Sequence, residues 1–218
     1  MRREIVLLGD EILRRKARPV KAVDAGTRRL IDDLVQTMRE ADGLGLAAPQ
    51  IGAAKRVFVC RDGDDVLVLV NPQFKRLSGR DVGVEGCLSM PGLQGNVPRA
   101  KHVVITGLDR SGRTVTYEAE GLLARCMQHE YDHLNGVMFI DHTKDLWWLE
   151  RVAADESEPQ GEVEEVDETE AGGGPKILVR RVPCTLPEVM DYYAEMRGEL
   201  AAVQEAEAQE AAAEASAA

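Results

Sequence analysis

The sequence lacks the features of membrane and exported proteins. No apolar run in its 218 residues approaches the roughly 18 residues that a helix needs to cross a bilayer. The first residues, MRREIVLLGDEILRRKARPV, start with a basic pair, but their short apolar stretch stops at Gly9-Asp10 and more basic residues follow. This pattern predicts neither a signal peptide nor a transit peptide. We therefore expect a cytoplasmic protein without a membrane partner.

Cysteine is also scarce, with four residues at positions 60, 87, 126 and 184. A chain of this length can fold without disulfides, so the even number of cysteines does not by itself indicate them. We expect Cys60 and Cys126 to be small buried hydrophobic residues. Cys87 stands in a distinct motif and is the cysteine with a candidate chemical role.

The negative charge belongs to one end of the chain. The net charge is −11, yet residues 1–150 hold 21 acidic and 22 basic side chains, whereas residues 151–218 hold 17 and 5. Nine of those acids lie between residues 155 and 170, and Gly172-Gly173-Gly174-Pro175 follows them. The acidity therefore describes the tail and says little about the substrate.

This composition divides the chain into four predicted parts. They are a catalytic domain over residues 1–150, an acidic flexible linker over 151–175, a strand and helix over 176–204 that pack on the core, and an Ala/Glu-rich tail over 205–218 that frays. An apolar stripe from Leu186 to Val203 favours packing, on the catalytic core or on a second copy of the chain. A loosely attached, solubilising tail is the competing interpretation.

Hydrophobic periodicity predicts the secondary structure. The predicted helices span residues 23–41 and 121–135, the predicted strands span 57–60, 66–70, 103–108, 114–119 and 177–182, and Thr185-Leu186-Pro187-Glu188 predicts a further helix start. This order of elements favours an α+β fold, with a mostly antiparallel sheet packed around the helices.

The strongest chemical signal is Gln128-His129-Glu130-Tyr131-Asp132-His133. Two histidines at positions i and i+4 of a helix lie on the same face, one turn apart, so both imidazoles can bind one metal ion. Glu130 follows the first histidine and is placed to reach a water on that ion. Such a match arises by chance in under about 1% of chains of this length. The pattern therefore predicts a metal site on this helix.

A catalytic metal site needs a third protein ligand and an open coordination position. Asp141 and His142 follow the helix, but a histidine there is more often a surface residue. Upstream, Cys87 lies in Val84-Glu85-Gly86-Cys87-Leu88-Ser89-Met90-Pro91-Gly92 and offers a thiolate, a strong ligand for zinc or iron. Cys87 is the favoured third ligand, and Asp141 and His142 stay open as alternatives.

A third segment, Gly43-Leu44-Gly45-Leu46-Ala47-Ala48-Pro49-Gln50-Ile51-Gly52, is rich in small residues. Its glycines are not followed by a helix after a strand, as a dinucleotide-binding loop requires. Small residues do allow a peptide backbone to approach closely. Gln50 adds an amide donor that can polarise a carbonyl group.

Together, GLGLAAPQIG, EGCLSMPG and QHEYDHLNG resemble the motifs of the peptide deformylases in sequence and order. The resemblance covers about residues 1–145 and is specific, because three separate motifs agree. It implies the α+β deformylase fold and a hydrolase that removes the N-formyl group from the N-terminal methionine of nascent polypeptides, releasing formate. It also implies one divalent metal ion. Ferrous iron is the usual metal of the family, and zinc, nickel or cobalt can occupy the site.

The resemblance carries roles over to matching residues. The implied metal ligands are Cys87, His129 and His133. The implied catalytic groups are Glu130 as acid and base, and Gln50 and the backbone N–H of Leu88 as donors to the formyl oxygen. In such a site the metal lowers the pKa of its water, Glu130 takes the proton, and the hydroxide attacks the formyl carbon. The donors stabilise the oxyanion, and Glu130 protonates the leaving amine.

The substrate-binding residues follow from the same resemblance. Leu44, Gly45 and Gly86 are implied to pair with the peptide backbone. The methionine pocket is implied to lie beside the metal-binding helix, at Arg125 and Cys126. We interpret Arg125 as a side chain whose stem lies on the pocket wall while its head reaches water.

Three charged residues near the motifs suggest a supporting network. Glu85, Arg99 and Asp132 are hypothesised to orient the metal ligands through hydrogen bonds. The alternative is that they are ordinary surface charges.

Two other functions stay open at the level of the sequence. A peptidase of the HExxH type would use the two histidines and Glu130 but gives Cys87 no role. A protein that only binds formylated peptides would not need Glu130.

The acidic tail would be repelled by phosphate backbones, so we expect no direct nucleic-acid binding by it. Transient proximity to the ribosome is compatible with a nascent-chain substrate.

Overall fold

The computed structural model describes residues 1–152, 163–167 and 176–217. The helices within these residues are α1 (Ala25–Glu40), α2 (Gly121–His133) and α3 (Leu186–Ala217). The strands are β1 (Gly45–Ala47), β2 (Val57–Asp62), β3 (Asp65–Ser78), β4 (Asp81–Cys87), β5 (Met90–Arg99), β6 (His102–Leu108), β7 (Thr114–Glu120), β8 (Leu146–Arg151), β9 (Val163–Asp167) and β10 (Lys176–Cys184). Single turns of 3₁₀ helix occur at Glu11–Arg14, Ala48–Ile51 and Phe139–Asp141.

These strands form two sheets in which neighbouring strands are antiparallel. The first sheet has the order β1-β2-β3-β6-β7 and the second β4-β5-β8-β10-β9. The α+β class with antiparallel pairing, expected from the sequence, is confirmed. The division into two sheets was not expected, and it decides where the candidate site lies.

The first sheet lies between α1 and α2, because the side chains of β2 pack on both helices. Side chains alternate between the faces of a strand. Val57 and Val59 join the cluster formed with α1, which buries Ile31, Leu34 and Met38. Phe58 and Cys60 point the other way and pack with Ala124 and Met127 of α2. Helix α2 is therefore held on one face of this sheet, which leaves its opposite side for the second sheet.

The second sheet presents the β4–β5 hairpin to that free side of α2. Its core contains Cys87, Met90, Leu93 and Val97 from the hairpin. The same cluster includes Leu8 and Leu13 from the N-terminal segment and Phe139 from the turn after α2. The end of β4 is thus fixed by packing from several parts of the chain.

The C-terminal strand and helix contact this second sheet. Strand β10 pairs with β8, from Val179 opposite Arg151 to Cys184 opposite Leu146. Val189 and Tyr193 of α3 are buried in the cluster that contains Cys87. The Tyr193 hydroxyl donates a 2.9 Å hydrogen bond to the carbonyl oxygen of Pro91 in β5. The backbone N–H of Thr185 donates to the Glu188 carboxylate at 2.7 Å, half of the capping box that the sequence predicts.

Two expectations for the C-terminal part need correction. Helix α3 continues to Ala217, past the fraying point expected near residue 205. Alanine and glutamate have high intrinsic helix propensity, so the helix continues without an apolar stripe. The predicted linker over 151–175 lies largely outside the described residues, but Val163–Asp167 within it forms the edge strand β9, paired with β10. Strands pair through backbone hydrogen bonds, so the acidic composition of this segment did not reveal the pairing.

No helix in the described parts of the chain is both long and apolar enough to cross a bilayer.

Helix α3 should stabilise the domain through Tyr193. Tyr193→Ala removes a buried ring and its hydrogen bond, so the free energy of unfolding should fall by about 3–5 kcal/mol. Leu200→Ala, at an exposed position of the same helix, serves as the control and should change it by less than about 0.5 kcal/mol. Urea unfolding of both variants measures the difference. Equal stabilities would mean that α3 does not pack on the domain in solution.

Candidate metal centre

Three donor atoms converge where α2 faces the end of β4. The Nε2 atoms of His129 and His133 are 3.2 Å apart, and the Cys87 Sγ lies 3.4 Å from His133 Nε2. All three residues are buried, and their donor atoms lie within 4.8 Å of one another. Sulfur and imidazole nitrogen are the donors that zinc and iron accept. Lone-pair donors buried this close together fit a cation among them.

The surroundings of the two histidines suit metal binding. His129 Nδ1 lies 3.0 Å from the Glu85 carboxylate, which leaves its Nε2 facing the other donors. Complete burial lowers the pKa of His133 well below its ordinary value, with the nearby His129 adding to the effect. A neutral imidazole is the form that ligates a metal.

Glu85 is the centre of a buried charge network. Arg99 donates two hydrogen bonds to its carboxylate, at 2.8 and 2.9 Å, and Arg125 donates a third at 2.9 Å. Burial alone would raise the pKa of Glu85, but the hydrogen bonds from Arg99 and His129 outweigh it and lower the pKa to about 2. Glu85 therefore stays ionised and can hold the Nδ1 hydrogen of His129.

The structure brings together the three residues hypothesised to form a supporting network. Arg99 bonds Asp132 as well as Glu85, so it joins the β4–β5 hairpin to α2.

His142 Nε2 lies 2.8 Å from the Asp132 carboxylate and does not join the convergent donor group. Asp141 instead accepts a hydrogen bond from the backbone of Met138. The open alternatives for the third ligand thus have other partners.

The expectation for Arg125 was wrong. Its side chain is only 8% exposed, so the head does not reach water. The guanidinium turns inward to Glu85 and to the carbonyl oxygen of Val97, at 2.9 and 2.7 Å. Its hydrogen-bond partners are distant in the sequence, so the position of Arg125 in the helix did not reveal them. The residue does line the cavity beside α2, as expected.

Gln50 is oriented by its own turn. The backbone N–H of Ala47 donates to Gln50 Oε1 at 2.8 Å, which identifies the oxygen end of the amide. Its Nε2 therefore points toward the centre, 3.5 Å from Cys87 Sγ and 3.3 Å from Ser89 Oγ. Ser89 was not singled out from the sequence, although it lies two residues after Cys87 and is fully buried.

A cavity of about 270 Å³ opens beside these groups. All eight residues predicted to bind substrate or to catalyse line it: Leu44, Gly45, Gln50, Gly86, Leu88, Arg125, Cys126 and Glu130. Two of the predicted metal ligands, Cys87 and His129, also line it, together with Val84, Leu122 and others. Glu130 is buried against Gly45, where an added Cβ would come 2.5 Å from Glu130 Oε1. Glycine at this position therefore leaves room for the carboxylate.

Cys60 and Cys126 behave as buried apolar residues. Both are free thiols, and their sulfur atoms are 3.3 Å apart at the contact of β2 with α2. Burial, with the neighbouring Cys126, raises the pKa of the Cys60 thiol well above its ordinary value. A protonated, buried thiol is unreactive, and neither Cys60 nor Cys126 belongs to the convergent donor group.

Structural metal sites close the coordination shell with four protein donors, whereas catalytic sites use three and leave a position open. Among the described residues, three donors converge here, beside a cavity and a buried glutamate. The fold and site thus define a metal-dependent hydrolase.

The polypeptide deformylase family matches residues 2–147, and the chain belongs to that family. These hydrolases remove the formyl group from the N-terminal methionine of new polypeptides. A peptide deformylase from Syntrophomonas wolfei is 49% identical over 138 residues, which cover 63% of this chain and 91% of that protein. Strand β10 and helix α3 lie beyond the range that the family matches.

Solved structures agree with this assignment. A peptide deformylase from Legionella pneumophila is 44% identical, with a TM-score of 0.64, over 66% of this chain and 86% of that chain. A class I type b peptide deformylase from Acinetobacter baumannii, solved with Met-Ala-Ser bound, is 34% identical, with a TM-score of 0.63, over 66% of this chain and 99% of that chain.

The charge network should determine how long the metal stays bound. Glu85→Gln leaves His129 without a carboxylate acceptor, so the metal should dissociate about 10–100 times faster. Competition with a coloured chelator measures the rate. Glu118→Gln, which breaks an exposed ion pair with Arg76, is the control and should match the wild type. Unchanged dissociation from folded Glu85→Gln would show that Glu85 does not support the site.

Proposed function

We propose that this chain deformylates peptides with Cys87, His129 and His133 as metal ligands and Glu130 as the acid–base residue. The observation that carries the proposal is the convergence of the three donor atoms beside a buried glutamate. A divalent ion held there supplies a Lewis acid and lowers the pKa of the attacking water toward neutrality. We propose ferrous iron as the native metal, although a thiolate with two imidazoles also suits zinc, nickel and cobalt.

Glu130 is the group we assign to proton transfer. Its carboxylate is buried, belongs to the residue after the first histidine ligand and lines the cavity at Gly45. It accepts a proton from the water that attacks the formyl carbon. It then returns that proton to the leaving amine, which departs as the free amino group of methionine while formate is released.

Gln50 and the backbone N–H of Leu88 are the donors that we assign to the formyl oxygen. The Ala47 N–H holds Gln50 with its Nε2 toward the cavity, so the donor is oriented before substrate arrives. Leu88 directly follows Cys87, which keeps its N–H close to the metal ligands. Preorganised donors stabilise the oxyanion because they need no rearrangement as charge develops.

The substrate peptide should bind between two sheet edges. Strands β1 and β4 are each the terminal strand of a sheet, and they border the cavity through Gly45 and Gly86. Leu44, directly before β1, lines it as well. A peptide can add to such an edge through main-chain hydrogen bonds. The methionine side chain would lie against Cys126, Leu122 and the stem of Arg125. The Acinetobacter relative with bound Met-Ala-Ser supports this choice of ligand class.

We propose that the reaction takes place in the cytoplasm, close to ribosomes, because nascent polypeptides are the proposed substrates. We propose that the C-terminal region takes no part in binding ribosomal RNA. Residues 151–218 carry 17 acidic and 5 basic side chains, and phosphate backbones repel such an excess.

The role of Glu130 predicts a separation of binding from turnover. Glu130→Gln keeps the metal, but the attacking water loses its proton acceptor, so turnover should fall by about 10²–10⁴-fold. Metal content and formate release from a formyl-Met peptide are the two measurements. A rate above a tenth of the wild-type rate would remove Glu130 from the mechanism. Unformylated Met-peptides in the same assay test for peptidase activity, which we expect to be absent.

The metal proposal predicts which ion supports activity. Protein purified without oxygen should contain iron, and activity should be lost on chelation and recovered with Fe²⁺. Zinc, nickel and cobalt reloaded in parallel are the comparison. Full activity in metal-free protein would contradict any metal role, whereas zinc-only recovery would contradict iron as the native metal.

A further inference from the structure

Arg125 is a buried arginine that spans the two parts of the metal centre. It belongs to α2, one turn before His129, yet its hydrogen-bond partners lie on the β4–β5 hairpin. These partners are the carboxylates of Glu85 (2.9 Å) and Asp81 (3.0 Å) and the carbonyl oxygens of Val97 (2.7 Å), Gly83 (3.3 Å) and Asp81 (3.4 Å). One side chain thus joins the helix of the two histidines to the hairpin of Cys87.

The hairpin is shaped to receive this guanidinium. Gly83 faces it so closely that an added Cβ would lie 3.0 Å from Arg125 Nη2 and 3.1 Å from its Cζ. The far end of the contact is Asp81, whose side chain is 55% exposed, whereas Glu85 at the near end is 4% exposed. The buried guanidinium therefore lies between an exposed carboxylate of β4, Asp81, and the buried carboxylate that bonds His129.

We propose that Arg125 is a positioning residue that acts through Glu85 to hold His129, and so keeps the two histidines of α2 in register with Cys87 of β4. This inference rests on the ligand set of the proposed function. Arg99 holds Glu85 from within the hairpin, and Arg125 holds it from the helix. Of these two arginine contacts, the Arg125 contact comes from the helix that also carries His129, so it reinforces the direct bond between Glu85 and His129.

The same side chain links metal retention to the substrate pocket. The cavity that borders the metal centre is lined by Arg125, Cys126 and Leu122. The guanidinium is already bonded to two carboxylates and is therefore not available to bind an acidic substrate group. Arg125 contributes its aliphatic stem to the pocket wall, and its head determines where that stem lies.

The test measures metal dissociation from the zinc- and cobalt-loaded full-length protein. Arg125→Met preserves the stem but removes every hydrogen bond, so dissociation into a chelator should be about tenfold faster or more. Arg125→Lys keeps one charge on Glu85 and should give an intermediate rate. Arg76→Met, which breaks only the exposed pair with Glu118, should match the wild type.

Two further readouts separate positioning from general stability. The thiolate-to-cobalt absorption band should shift in Arg125→Met and shift back in part in Arg125→Lys. In combination with Glu85→Gln, Arg125→Met should add little to the dissociation rate, because both changes remove the same support for His129.

Specific results would overturn the inference. These are a dissociation rate within about twofold of wild type in folded Arg125→Met, or effects of the two substitutions that simply multiply. Should Arg125→Met fail to fold, a wild-type rate in Arg125→Lys would overturn it. Cys87→Ser separates this inference from the proposed function: retained metal in Cys87→Ser refutes the ligand set, whereas metal loss there with an unchanged Arg125→Met refutes only the role of Arg125.

Discussion

The candidate metal centre depends on the hydrogen bonds that the buried, ionised carboxylate of Glu85 makes with Arg99, Arg125 and His129. A buried carboxylate is costly to desolvate, and it is tolerated here because strong donors satisfy both oxygens. Removing one partner of such a group typically costs about 3–5 kcal/mol, because the remaining charge stays buried. The network thus makes the approach of α2 to the β4–β5 hairpin specific, where apolar packing alone would allow small shifts.

This constraint matters because the site is assembled from two sheets. Helix α2 is packed on the first sheet, whereas Cys87 ends an edge strand of the second. The core of the second sheet contains Cys87 together with Val189 and Tyr193 of α3. The C-terminal extension therefore packs on the same hairpin that carries Cys87, although it lies outside the range matched by the family.

The sequence predicted the parts whose signals are local. Helix α1 was expected over residues 23–41 and spans Ala25–Glu40, and α2 ends at His133 within the expected range. The hairpin β4–β5 was not predicted, because its glycines and prolines interrupt the alternation typical of strands. Strand β3 runs to Ser78, past the expected end at residue 70, where Asn71 (φ 52°) and a shift in register break the pattern.

Prediction of the candidate site was limited in the same way, to residues whose signals are local in the sequence. Spacing within one helix brought His129, Glu130 and His133 together. The chemistry of two other motifs singled out Cys87 and Gln50, and the resemblance then implied their roles. Contacts between distant segments were harder to foresee, because they depend on how the two sheets meet. Arg125 is the clearest case, since its place beside His129 was evident but its partner Asp81 lies 44 residues away.

The central claim is that one thiolate and two imidazoles hold the metal. X-ray absorption at the zinc edge of zinc-loaded protein tests it most directly. We predict one sulfur neighbour at about 2.3 Å and two histidine nitrogens at about 2.0–2.1 Å, with the sulfur lost in Cys87→Ser. A spectrum without sulfur, or one that Cys87→Ser leaves unchanged, would contradict the account.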